Sequence, residues 1–319
     1  MNQSVLHPAG PMAERILGLW DLMYWICAAV FVLVILALLA AVLRRRTKIT
    51  DEEDLPGPPP PATHRRLVKA IGAATAVTVV LLFVLLTGSV AIGRATATLP
   101  GEPLNLKLTG KQWWWQVEYV DPVPSQSITT ANEIHIPVGR PVKIQLESSD
   151  VIHSFWVPNL HGKKDLIPGY SNVIWIEADR PGVYRGQCAE FCGFQHAHMA
   201  LLVIADPPER FRAWADAQRQ SSAPPRTPQQ ALGKYLVERL PCANCHTVRG
   251  TQASGRLGPD LTHVASRRTL AAGTMPNNRG HLSGWLLDPQ SVKPGNLMPP
   301  TAMSSESLQA VLAYLEALR

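Results

Sequence analysis

A chain of 319 residues is longer than one ordinary domain, and its net charge of +6 raises the question of a nucleic-acid partner. Residues 44–70 hold seven Lys/Arg against four Asp/Glu, and no basic stripe interleaved with aromatics occurs elsewhere, which excludes nucleic-acid binding. The five cysteines form two close pairs plus Cys27, so they exclude a disulfide framework and read as metal or haem sites, with Cys27 a small buried hydrophobe.

The first element in chain order is an uncharged run of 22 residues, 22–43, and a second such run covers 71–92. Each is about 33 Å long as a helix, enough to cross a bilayer core. The first run is too long, and its flank too poor in basic residues, for a cleaved signal sequence, so it is expected to be retained. Seven Lys/Arg lie between the spans and only Arg15 before them, which puts the intervening loop in the cytoplasm and both termini outside. The proline tract LPGPPPPAT in that loop stops the first helix. Neither span carries a histidine, acid or base, so the hairpin reads as an anchor, with Gly88 and Ser89 permitting close helix contact.

From about 104 to 205 the apolar pattern changes to period two, in EIHIPV (133–138), KIQLE (143–147) and NVIWIEA (172–178), with Pro/Gly punctuation between. Short strands at this spacing predict a β-sandwich or barrel. Near its end, QCAEFCGFQHAHM places Cys188, Cys192, His196 and Met199 within one loop. His153, just beyond KIQLE, is the best second imidazole. Thiolates, imidazoles and a thioether suit copper, and two bridging cysteines with two histidines suit a copper pair. A Cys₂His₂ zinc site is the alternative, but it leaves Met199 without a purpose. KQWWWQVEY (111–119) carries three consecutive tryptophans, which must divide between the two faces of a strand.

The motif CAEFCGFQHAHM, with SSDVIHSFWVP upstream, resembles the binuclear CuA site of cytochrome c oxidase subunit II. The resemblance implies a cupredoxin-like β-barrel. It implies copper ligands His153, Cys188, Cys192, His196, Met199 and the backbone carbonyl of Glu190. The Glu190 side chain would reach a shared magnesium or manganese ion, and Trp113 would receive electrons near the copper. His198 falls outside the pattern, while His135 and His161 lack cysteine neighbours and read as packing residues.

A polar, helix-like stretch (PERFRAWADAQRQ) followed by SSAPPRTP then reads as a linker. Beyond it, Cys242, Cys245 and His246 form C-x-x-C-H, the attachment signal of a c-type haem. LGPDL (257–261) resembles the cytochrome c segment whose proline carbonyl, here Pro259, orients the proximal histidine. KPGNLMPP (293–300) supplies Met298 as distal ligand, with Met275 and Met303 as competitors. SSESLQAVLAYLEALR predicts a last helix burying Leu308, Val311, Leu312 and Leu315, capped by Ser304.

Together these features resemble subunit II of a caa-type oxidase. The expected fold class is a membrane-anchored multidomain chain. It has an outward tail (1–21), a two-helix transmembrane hairpin (22–93), a cupredoxin-like CuA domain (94–208), a linker (209–228) and an all-α cytochrome c domain (229–319). The resemblance implies two coppers and one covalent haem c per chain, in the bacterial inner membrane with both outer domains periplasmic. Electrons would come from a cytochrome c or a quinol–cytochrome c reductase. They would leave to a dioxygen-reducing, proton-translocating complex through subunit I, with subunit III as a further partner. A CuA-bearing nitric oxide reductase and a free-standing membrane-anchored electron carrier are the other readings. The second span lacks the acid that commonly feeds a proton channel in this family, since the region reads HRRLVKAIGAATAV.

Overall fold

The computed structural model describes residues 3–44, 61–97 and 101–319. Most of the expected proline-rich loop lies outside the described residues. Two compact units result, one of residues 15–98 and one joining the first 14 residues to everything from 99 onward.

In the first unit, helices α1 (Pro11–Arg44) and α2 (Pro61–Ala97) are long and apolar enough to cross a membrane. Both extend past the uncharged runs, so the tail expected over 1–21 is helical from Pro11. Proline suits the first helical position, where its missing N–H would be unpaired anyway. A methyl on Gly88 would lie 3.5 Å from Leu19 Cδ1, so this small residue lets the helices approach as its position suggests. Cys27 is exposed on α1 and not buried, because a helix facing hydrocarbon needs no protein packing around a thiol.

In the second unit, ten strands form two five-stranded sheets. They are β1 (Leu104–Lys111), β2 (Trp114–Tyr119), β3 (Ile128–Ala131), β4 (Glu133–Pro137), β5 (Val142–Ser148), β6 (His153–Trp156), β7 (Lys164–Leu166), β8 (Asn172–Ile176), β9 (Gly182–Cys188) and β10 (Ala200–Asp206). The first sheet runs β3-β2-β1-β5-β8 and the second β4-β10-β9-β6-β7, the cupredoxin-like arrangement. The period-two pattern works as read: Val142, Ile144 and Leu146 are buried while Lys143 and Gln145 face outward. The aromatic run also divides. Trp113 and Trp115 enter the core, whereas Trp114 lies outside under the Lys111 ammonium, 5.0 Å from its ring.

Two pieces of chain outside the strands complete this core. Of the stretch 209–228 expected as a linker, α3 (Pro208–Arg219) is a helix that packs on the sheets through Phe211 and Ala215. Its Trp214 stacks on His135, with ring centroids 4.2 Å apart. At the other end, Ala9 joins the core, its N–H donating to Asn159 O (2.7 Å) and its carbonyl accepting from Asp179 N (2.9 Å).

The remaining residues form a helical domain of α4 (Pro228–Arg239), α5 (Cys242–Cys245), a two-residue ladder of β11 (Thr269–Leu270) with β12 (Met275–Pro276), α6 (Arg279–Leu287), α7 (Pro289–Val292) and α8 (Ser305–Leu315). Ser304 caps α8 by accepting from Ser307 N, and Leu308, Val311, Leu312 and Leu315 are buried as read from the sequence. Gly233 lets α4 touch α8, since a methyl there would come within 2.0 Å of Ala310 O.

Candidate metal and haem centres

The thiol cluster is assembled where β6 and β9 end side by side. Phe155 pairs with Cys188, which sets His153, on the same face two residues back, beside the first thiol. The loop from Ala189 returns to β10 through a turn at His196–His198, and Cys188 N donates to Met199 O (2.9 Å), closing it. Six donors converge. The Cys188 and Cys192 sulfurs are 3.7 Å apart. Cys188 Sγ is 3.8 Å from His153 Nδ1 and 3.2 Å from Glu190 O. Cys192 Sγ is 3.6 Å from His196 Nδ1 and 3.9 Å from Met199 Sδ.

These residues fit a metal. The sulfurs are too far apart for a disulfide bond of about 2.05 Å. Two thiolates bound at about 2.3 Å to one tetrahedral ion would lie about this far from each other. Hydrogen bonding with Cys192 draws the Cys188 pKa down to about 3 against the effect of burial, while the same bond and burial push that of Cys192 up. The two thiols thus titrate as one coupled pair, one lowered and the other raised. Two thiols, two imidazoles, a thioether and a carbonyl exceed the four donors of a structural zinc site and suit copper.

Two residues absent from the sequence reading shape the cluster. Asp150 Oδ1 lies 2.8 Å from His153 Nε2, which makes Nε2–H the donor and turns the Nδ1 lone pair toward Cys188. Bonds from His153, Gln112 N and Val151 N hold the Asp150 carboxyl below its ordinary range although burial opposes them. Gly110 on β1 makes room for the imidazole, since a methyl there would lie 2.7 Å from His153 Cδ2. An acid three residues before a histidine was the only signal for Asp150.

Trp113 sits against the cluster, its indole N–H donating to Cys192 O (2.9 Å). His198 lies outside the donor set and pairs with Gln195 Oε1 through Nδ1 (2.9 Å). His135 is held by Asp206 (2.9 Å), and burial pushes the pKa of His161 down to about 4, so both sit apart from the thiols as packed side chains. The Glu190 carboxylate accepts from Phe191 N (3.2 Å).

In the helical domain, α5 carries Cys242 and Cys245 half-buried, and His246 N donates to Cys242 O (2.9 Å). His246 Nδ1–H donates to Pro259 O (2.7 Å), which leaves the Nε2 lone pair free. Burial lowers the His246 pKa and keeps the ring neutral, the form that ligates iron. Thioether-forming thiols beside a neutral, oriented imidazole fit a covalent haem. Met275, Met298 and Met303 all border the same core. Met298 is held at both ends: Asn296 Oδ1 accepts its N–H (2.8 Å) and Gln290 Nε2 donates to its carbonyl (2.9 Å).

Gly258 lies flush against the imidazole, since a methyl there would come within 2.5 Å of His246 Cε1. Gly258→Ala is expected to push the ring off Pro259 O, costing about 1–3 kcal/mol as overpacking. The visible spectrum of the haem protein should then show a mixed-spin fraction absent from the unmutated chain.

The family model described as cytochrome c oxidase subunit II, periplasmic domain, matches residues 120–205, and that of cytochrome c matches residues 230–319. Cytochrome c oxidase subunit 2 of Alkalihalophilus pseudofirmus is 40% identical over 215 residues, 67% of this chain and 61% of that protein. The protein of the same name from a Bacillus species is 33% identical over 225 residues, 67% of this chain and 62% of that one. The aligned chain thus spans less than two thirds of the length of either relative. The crystal structure of the periplasmic domain of subunit II of cytochrome oxidase of Bradyrhizobium japonicum is similar with a TM-score of 0.36 and 31% identity, over 38% of this chain and 97% of that domain.

Proposed function

We propose that the chain is a member of the cytochrome c oxidase subunit II family in its form with a C-terminal cytochrome c domain, a reading supported by both family models and by the relatives, and that it accepts electrons at a covalent haem c and hands them through a copper pair to a haem–copper partner in the membrane. The convergence of four further donors on two sulfurs 3.7 Å apart carries this reading. When bound, haem c and copper supply the one-electron chemistry that no side chain here provides.

The chain's own residues do the holding and orienting. Cys242 and Cys245 would tether the haem, and Pro259 orients His246 with its Nε2 left free, the nitrogen that would hold the haem. Met298 would be the second side chain to hold the haem. Cys188, Cys192, His153 and His196 would hold the two coppers, with Met199 and the Glu190 carbonyl as further donors. Two thiolates shared by the pair would supply a centre that changes little in shape as an electron passes. The Trp113 indole, bonded to Cys192 O, offers a covalent and hydrogen-bonded route to a bridging sulfur. The Glu190 carboxylate is assigned to a magnesium or manganese ion shared with the partner.

Two apolar helices serve as the membrane anchor. The tail supports a topology with both termini on the side of the copper domain. Besides the Ala9 bonds, His7 O accepts from Asn159 Nδ2 (2.7 Å) and Pro8 O from an Arg180 guanidinium nitrogen (2.8 Å). Residues tied to that domain share its compartment, which a two-helix hairpin permits. On the positive-inside rule that side is the periplasm. The partners are then oxidase subunits I and III in the membrane, with a cytochrome c or a quinol–cytochrome c reductase as donor.

Metal and haem analysis of the purified chain tests the reading. Two coppers and one covalent haem per chain are expected. Zinc in place of copper would sink it. Dioxygen consumption by the complex that co-purifies, against nitric oxide consumption, then identifies the reaction served.

A further inference from the structure

Lys293 is 2% exposed, yet all the partners of its ammonium are backbone carbonyls: Trp113 O (2.7 Å), His198 O (2.7 Å) and Ala271 O (3.1 Å). A buried ammonium is retained only where its hydrogen bonds are met, and here three donors find three acceptors. Two of those acceptors belong to the β domain, one beside the thiol cluster and one inside the ligand loop. The third lies at the tip of the β11–β12 turn.

The neighbouring contacts run the same way. Pro294 O accepts from Gln195 Nε2 in the ligand loop (2.8 Å). Gly295 lies over Trp113, since a methyl there would sit 3.6 Å from Cη2. Three residues later comes Met298. On the far side of Trp113 is Cys192 O, 2.9 Å from the indole nitrogen.

The turn presented to Lys293 is strained. Ala271 and Ala272 both adopt left-handed backbone, with φ of 51° and 58°, a region that alanine seldom visits. This conformation turns the Ala272 carbonyl to the β domain, where it accepts from Ala200 N (3.0 Å), and leaves the Ala271 carbonyl for the Lys293 ammonium. At the opposite edge the buried Glu133 carboxylate accepts from Arg268 N (2.7 Å) and Thr269 N (3.1 Å). The short connector is held too, with Ser222 N donating to Arg249 O (2.9 Å).

We propose that Lys293 is a positioning residue that locks the C-terminal helical domain onto the ligand loop, holding the Met298 segment against Trp113, so that the domain works as a fixed dock and not as a donor swinging on a tether. This rests on the proposed electron route for its purpose, though not for its geometry. Only a lysine suits the site: its compact ammonium presents three donors in a tripod, whereas the planar guanidinium of arginine does not match three converging carbonyls.

The test uses the full chain with its metals, comparing Lys293→Met, Lys293→Arg and the unmutated protein. Hydrogen exchange at the Ala200 amide, which bonds across the interface, reads the dock directly, with the Val203 amide inside the sheet as the folding control. Lys293→Met is expected to speed Ala200 exchange at least tenfold, and Lys293→Arg less, with Val203 unchanged. After photoreduction of haem c, electron arrival at copper should be independent of glycerol viscosity in the unmutated chain. It should become slower and viscosity-dependent in Lys293→Met while the haem spectrum stays the same. Unchanged Ala200 exchange in both variants would overturn the proposal, as would viscosity-dependent transfer in the unmutated chain. A chain without copper whose Ala200 amide is still freed by Lys293→Met would sink the electron route and leave the lock standing.

Discussion

Cys192→Ser is expected to empty the copper centre while leaving the β domain folded. The sulfur of Cys192 is the hub of the donor set, within 3.9 Å of Cys188 Sγ, His196 Nδ1 and Met199 Sδ. Its backbone carbonyl is separately engaged by Trp113 Nε1 and Gln112 Nε2 (2.8 Å), and serine keeps those bonds. The substitution therefore removes a soft bridging ligand and little else. Outer-shell partners of a bound metal are worth about 10- to 100-fold in affinity, so a bridging ligand should cost at least about 100-fold. Copper content is expected to fall from two per chain to none, and the electron paramagnetic resonance of the shared pair to vanish. Haem absorbance should stay unchanged, because the helical domain builds its own core. A Cys192→Ser protein that kept two coppers would remove the bridging role.

The second large effect is expected from Met298→Ala. Three methionines border the haem-bearing core, so composition alone does not choose among them. The proposed choice of Met298 rests on its place in KPGNLMPP shortly before α8. Asn296 and Gln290 hold Met298 on both sides, while Met275 is tied into the ladder opposite Leu270. Losing a thioether ligand should lower the haem potential on the order of 0.2 V, within the roughly 0.8 V that axial ligands control. At about 59 mV per decade for one electron, the balance between haem c and its donor shifts on the order of 10³-fold. Redox titration and the low-spin spectrum read this directly. Survival of that spectrum in Met298→Ala, with its loss in Met275→Ala, would reassign the ligand.

Much of the candidate site was legible in the chain because ligand spacing is local chemistry. Cys188, Cys192, His196 and Met199 lie in one loop, C-x-x-C-H is five residues long, and His153 stood out by following a strand pattern. What escaped was contact that residue identity does not mark, most of it between elements far apart in sequence. Asp150 and Gly110 serve His153 from two different places. Lys293 reaches Trp113 O, 180 residues away, and Glu133 accepts from Arg268 N, 135 residues away. Backbone acceptors leave no trace in residue identity, so nothing in KPGNLMPP marks its lysine. Helix α3 was read as part of a linker because its apolar side is only Phe211, Trp214 and Ala215 in an otherwise polar stretch, a stripe that gains meaning only against a sheet.

The docking of Ala9 also sets an order of assembly. The segment 3–10 is made first, yet its place is between Asn159 and Asp179, which are made long after. Gly10 leaves no slack there, since even a methyl would come within 2.0 Å of Glu177 O. In the proposed topology, the β domain completes its core only after the N-terminus has crossed the membrane and both spans are in place. Folding of the β domain is thereby expected to depend on insertion, since a chain threaded the wrong way would lack Ala9 in its core.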